Sequence, residues 1–184
     1  MKQNTTLFHP NLFNALEQTQ ATIIVDTNVF STMQRSKSFI EFLEVMKQKT
    51  GCAYATIETV LFETTIGSSS REVYEKRTDV TQTLLDAILP TNFISKTKDF
   101  NILMAKLNAS NTSFTDFQLA ACLYQHRNSR CYLLTSDQQA LPTFFDREFV
   151  ITAQQDGGRL VNFGFFRFNN KSYVKAAESV LSQD

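Results

Sequence analysis

With 184 residues, 42% of them hydrophobic, the chain is the size of one ordinary domain and can bury a real core. Its 18 Lys and Arg balance 18 Asp and Glu, which argues against gripping nucleic acid by bulk positive charge, although a local basic patch stays open. Cys52, Cys122 and Cys131 are widely spaced among apolar neighbours and read as buried reduced thiols. With only His9 and His126 besides, a His/Cys zinc site or a His-based dyad is hard to build. A metal here would be held by oxygen, which favours Mg²⁺ or Mn²⁺.

Residues 1–20, "MKQNTTLFHPNLFNALEQTQ", are polar and lack the apolar core of a signal peptide. They read as an N-terminal extension, and with no run as long as a membrane span the expected location is cytoplasmic. "TIIVD" follows, β-branched from Thr22 to Val25, and predicts a strand buried on both faces that ends on Asp26. "FIEFLEVMKQK" puts Phe39, Ile40, Leu43 and Met46 on one face and predicts a helix closed by Gly51. "CAYATI" predicts a second short strand. "ETVLFETTIG" predicts a helix with Ile57, Val60 and Leu61 on one stripe and Gly67 as its stop. From Ser68 to Leu89 the spacing predicts one long amphipathic helix, opened by serines and stopped by Pro90.

"NFIS" is expected to form a weak third strand, and "KDFNILMAKLNA" a further helix. Ser113 and Asp116 then mark a helix start, with Leu119, Ala120 and Leu123 on its apolar face. "CYLLT" predicts a strand, "SDQQALP" a turn and short helix, "EFVITA" and "LVNFGFFRF" two late strands, and "KSYVKAAESVLSQ" a terminal helix. The "FGFFRF" stretch reads as core rather than interface, and 17 Phe without a Trp favour Phe-rich packing between layers. Strands alternating with helices imply βαβ crossovers. The expected fold is therefore α/β, a three-layer α/β/α arrangement with a mostly parallel central sheet and helices on both faces. No repeat or linker divides residues 21–184, which read as one domain with its motifs in 22–141 and late strands and helix in 147–184.

Ligands of an open parallel sheet bind at the carboxyl ends of its strands. Asp26 follows the first strand, Asp137 follows "CYLLT" with Thr135 before it, Asp116 opens a helix, and Glu63 lies in the helix after the second strand. Each has a plain structural explanation. Asp26 fits a helix N-cap, Asp116 a helix-dipole position, Asp137 a turn, and Glu63 a solvated helix position, with Glu58 competing for the same role. Together they are less ordinary. Three Asp and a Glu converging without cations would repel one another, and divalent cations would neutralise them.

The ordered motifs resemble those of PIN-domain nucleases, the fold that includes the VapC-type toxin ribonucleases. The resemblance rests on "IIVDTN" (Asp26, Asn28), "ETTIG" (Glu63, Gly67), "DFQLAA" (Asp116) and "LLTSD" (Thr135, Asp137), in family order from Ile23 to about Leu141. It implies a PIN-like fold and a Mg²⁺- or Mn²⁺-dependent endoribonuclease. Asp26, Glu63, Asp116 and Asp137 would be catalytic ligands, directly or through water, and Asn28 and Thr135 would orient them. Arg35, Lys37, Arg71 and Arg77 are candidate phosphate contacts, though solvated surface charge explains them as well. Phe30, Phe62 and Phe114 lie near the motifs, where an aromatic can stack on a base or simply pack in the core.

The implied partners are an RNA substrate, a cognate antitoxin protein that covers the acids with an Arg, and a second copy in a homodimer; no membrane partner is expected. Two rival readings stand beside this one. A haloacid-dehalogenase-like phosphohydrolase needs a second Asp where Asn28 stands. A catalytically inactive PIN-like interaction module would keep its acids only as caps.

Overall fold

A computed structural model describes residues 7–8, 11–17, 20–66, 71–91, 98–107 and 112–181. The β-branched run forms β2 (Thr22–Val25), and Ile23, Ile24 and Val25 are fully buried, as burial on both faces requires. Around it lie β1 (Leu7–Phe8), α1 (Leu12–Glu17), α2 (Thr27–Met33), α3 (Lys37–Thr50), β3 (Ala53–Thr56), α4 (Glu58–Ile66), α5 (Arg71–Leu84) and β4 (Ala87–Ile88). The chain continues through α6 (Lys98–Lys106), α7 (Phe114–Gln125), β5 (Cys131–Thr135), β6 (Phe145–Gln154), β7 (Leu160–Phe168) and α8 (Asn170–Leu181).

The sheet runs β1-β6-β7-β5-β2-β3-β4. Its β5-β2-β3-β4 block is parallel, with Ile24 opposite Leu133 on one side and Ala55 on the other. β7 pairs antiparallel with β5 and β6 antiparallel with β7, so β6 again points the way of the parallel block and five of the seven strands share one direction. The crossovers β2→β3→β4 step one way across the sheet and β4→β5 steps back. Right-handed crossovers then place α2 to α5 on one face and α6 and α7 on the other. The helix contacts agree. α1, α2 and α5 meet neighbours in the first group, α6 packs on α7 and α8, and α4 touches α2, α5 and α7. This is the expected three-layer α/β/α fold.

Phenylalanine fills both interlayer spaces. Phe39 of α3 stacks on Phe163 of β7 at 4.9 Å between centroids. On the other face Phe100 stacks on Tyr124 at 4.7 Å and meets Phe144, Phe168 and Tyr173. Phe163, Phe165, Phe166 and Phe168 are all buried, so "FGFFRF" is core. The three cysteines are buried free thiols, and burial pushes Cys122 and Cys131 up to about 12. Ser36 caps α3, and Gly51 ends it at φ 65°, a left-handed position that glycine takes without strain. Among the described residues no helix is long and apolar enough to cross a membrane.

Two expectations change. The long helix from Ser68 to Leu89 stops at Leu84, and Ala87–Ile88 instead forms the edge strand β4. Asp86 enforces the break. Its carboxylate accepts from Tyr54 N at 2.8 Å and pairs with Lys47 at 2.5 Å, while its own N–H donates to Tyr54 O. Helical spacing carries no trace of that long-range pairing. "SDQQALP" forms no helix, because Asp137 Oδ1 accepts from Gln139 N and Ala140 N in a side-chain-closed turn. The "NFIS" strand, the Ser68–Ser70 caps and the Gly67 stop lie outside the described residues.

The described residues of the stretch before β2 are tied into the fold. β1 pairs with β6, and Leu12 and Leu16 of α1 are fully buried in the main core. Leu16→Ala is therefore expected to lower stability by about 2–5 kcal/mol, read as a reduced urea midpoint; a surface extension would lose almost nothing.

Candidate functional site

β2 ends on Asp26, which sits at ψ 161° in extended backbone and caps α2. Asp26 is 4% exposed. Its Oδ1 accepts from Thr27 N at 2.6 Å, and its Oδ2 accepts from Asn28 Nδ2 and from Thr135 Oγ1, both at 2.5 Å. Thr135 lies at the end of β5, the strand beside β2, and its hydroxyl also accepts from Asn28 Nδ2 and Asp137 N, both at 3.0 Å. One donor and two acceptor positions are thereby all used. Asn28 Oδ1 accepts from Ser136 N at 3.0 Å. The ends of the two central strands are thus joined by one closed polar network, and Asp26 keeps one unused acceptor position, on Oδ1.

Two helices converge beside it. Ser113 caps α7, with Asp116 in a reciprocal capping box: Asp116 N donates to Ser113 Oγ at 3.1 Å and Ser113 N to Asp116 Oδ2 at 2.9 Å. Glu63, on the exposed side of α4, reaches both helix starts. Its Oε2 accepts from Thr27 Oγ1 at 2.7 Å and its Oε1 from Thr115 Oγ1. Thr59 Oγ1 of α4 also donates to Gln118 Oε1 of α7 at 2.7 Å. The α2 and α7 N-termini therefore both point their partial positive charge toward the acids.

Burial pushes the Asp26 carboxyl up from an ordinary 3.8 to about 6. The nearby negative charge of Asp116 pushes the same way, while the bonds from Thr135, Thr27 and Asn28 pull down. The ion pairs among the described residues, Lys37–Glu41, Lys47–Asp86, Arg71–Glu75 and Arg167–Glu148, leave all four acids out.

Asp26 and Asp116 are thus brought together, with Glu63 tied to the chain neighbour of each. Asp137 is linked only through Thr135, and its carboxylate turns to its own loop. Lys37 and Arg71 pair with glutamates on their own helices. Arg35 follows the far end of α2, roughly 10 Å of helix from the Asp26 cap, and the Arg77 side chain lies outside the described residues. Phe30 is fully buried, whereas Phe62 and Phe114 are exposed. Thr27 and Thr115 were not foreseen. Their partner is 36 and 52 residues away, and a threonine beside an acid carries no signal of its own.

No family model matches the chain, nor does any curated protein or solved structure.

Among the described residues, no three His, Cys, Asp or Glu side chains form a ready-made metal-binding group. Mg²⁺ does not require one, since it is commonly held by one or two carboxylates and several waters. A buried carboxylate with an acceptor position unused, a second carboxylate beside it and no cation paired to either, all among the described residues, suit such an ion.

The pH dependence has a definite sign. Native Asp26 binds a proton more readily than the unfolded chain does, so its contribution to stability falls as pH rises from about 4 to 6. Without divalent metal, the difference in stability between Asp26→Asn and the wild type should move toward the variant by up to about 3 kcal/mol over that range. Chemical denaturation at a series of pH values checks this, and a pH-independent difference would contradict it.

Proposed function

We propose that the chain is a Mg²⁺- or Mn²⁺-dependent ribonuclease of PIN type that hydrolyses phosphodiester bonds at the Asp26–Asp116 rim. The observation that carries this reading is a buried carboxylate, raised to about 6, beside a second acid with no cation paired to either among the described residues. The order of the four sequence motifs supports it independently.

Asp26 and Asp116 would hold the ion, with Glu63 as a further ligand directly or through water, while the Asp137 carboxylate is turned to its own loop. When bound, such an ion supplies positive charge against the charge developing on phosphate and leaving oxygen, and makes a water nucleophilic near neutral pH. The chain's own work is positional. Thr135 and Asn28 hold one carboxylate oxygen of Asp26 and Thr27 N holds the other, fixing its orientation. At Asn28 an amide donates to Asp26, so the acid that a haloacid-dehalogenase-like reaction needs at this position is replaced by a group that cannot exchange a proton. A toxin role, with an antitoxin covering the acids through an Arg, and homodimerisation follow from the same resemblance.

The test is cleavage of a panel of RNA and single-stranded DNA with Mg²⁺ or Mn²⁺, alongside Asp26→Asn and Asp116→Asn. We expect metal-dependent RNA cleavage in the wild type and a loss of at least about 100-fold in each variant. Because proton and cation compete for Asp26, metal affinity should also weaken as pH falls below 6. A folded wild type that neither cleaves nor binds either ion calorimetrically would favour the interaction-module reading.

A further inference from the structure

Three of the acids are held by backbone N–H groups near them in the chain: Asp26 by Thr27, Asp116 by Ser113, Asp137 by Gln139 and Ala140. Among the described bonds Glu63 differs. Both its oxygens are held by hydroxyls from other helices, Thr27 at the start of α2 and Thr115 in the first turn of α7. A helix-surface glutamate needs no such partners, and its long side chain would otherwise gain rotamer freedom in water. Each threonine is also the chain neighbour of one acid of the pair. The two hydroxyls therefore hold Glu63 between the starts of α2 and α7, the two elements that carry Asp26 and Asp116.

We infer that Thr27 and Thr115 are positioning residues that clamp Glu63 across the Asp26–Asp116 pair and thereby set the site's affinity for a divalent cation. The inference rests on the metal-site reading above and deepens it. Threonine suits the task because a hydroxyl donates to a carboxylate without neutralising it, as Lys or Arg would. Thr115 is buried, which fixes its hydroxyl, whereas Thr27 is half-buried at the cleft edge.

The experiment is a Mn²⁺ titration by calorimetry, with the bound ion followed by electron paramagnetic resonance. Wild type is compared with Thr27→Val, Thr115→Val, the two Thr→Ser variants and Glu63→Ala. Each Val variant should bind Mn²⁺ about 10-fold more weakly, and each Ser variant should bind as the wild type does. In a Glu63→Ala background the Thr27→Val change should have no further effect, because the hydroxyl acts through Glu63. Val variants that bind Mn²⁺ as tightly as wild type would overturn the clamp and leave the Asp26–Asp116 site standing. So would a Thr27→Val loss that persists without Glu63. Wild type that binds no Mn²⁺ would bring down the clamp and the metal reading together. If Thr115→Val fails to fold, Thr27→Val at its half-buried position decides alone.

Discussion

The site depends on one constraint: a carboxylate is held out of water at the end of a doubly buried strand. β2 is apolar because helix layers cover both of its faces, and the residue that follows it, Asp26, is still buried. Its oxygens cannot be left to solvent, so the surroundings supply donors. They come from the first peptide of α2, from an amide one position further on, and from a hydroxyl at the end of the neighbouring strand. The parallel register that sets Val25 opposite Leu134 brings Thr135 to the right height. Strand order, register and polar network are thus one feature seen at three scales.

Around that carboxylate the fold gathers negative charge and offsets it with dipoles. Asp116 and Asp26 each sit at a helix start, where unpaired N–H groups favour an anion. Partial charges worth about half an elementary charge per helix end do not cancel whole ones, and the Asp26 carboxyl remains raised, chiefly by its burial and in smaller part by Asp116. Among the described residues no cation is paired with these acids, and under the proposed function a bound divalent cation would offset that charge.

Much of this was legible in the sequence, for physical reasons that differ by element. β2 and β5 are read from apolar runs because strands buried on both faces admit little else, and α7 is read from Ser113 because capping is local. β4 was missed because its cause is the Asp86 contact with Tyr54 and Lys47, far away in the chain. The Asp137 turn was mistaken in part for a helix because the same short polar residues serve both. At the site, the acids and Asn28 announced themselves by spacing. Thr27 and Thr115 did not, since their role exists only once α2, α4 and α7 meet.

The acids are also ambiguous in the sequence for a physical reason. A helix cap and a metal ligand use the same residue in the same place, and Asp26, Asp116 and Asp137 all have local bonds of the capping or turn kind. Magnitude bears on the choice. An N-cap contributes about 1 kcal/mol and works equally well exposed. Raising Asp26 from 3.8 to about 6, after its favourable hydrogen bonds are counted, corresponds to about 3 kcal/mol against the ionised form at neutral pH. Capping does not repay that cost, and Ser36 at the start of α3 shows that the fold caps a helix with an uncharged hydroxyl when capping is all it needs. A buried, ionisable group in place of a serine at the start of α2 therefore calls for a second role, and under the proposed function a bound cation that favours its ionised form would supply one.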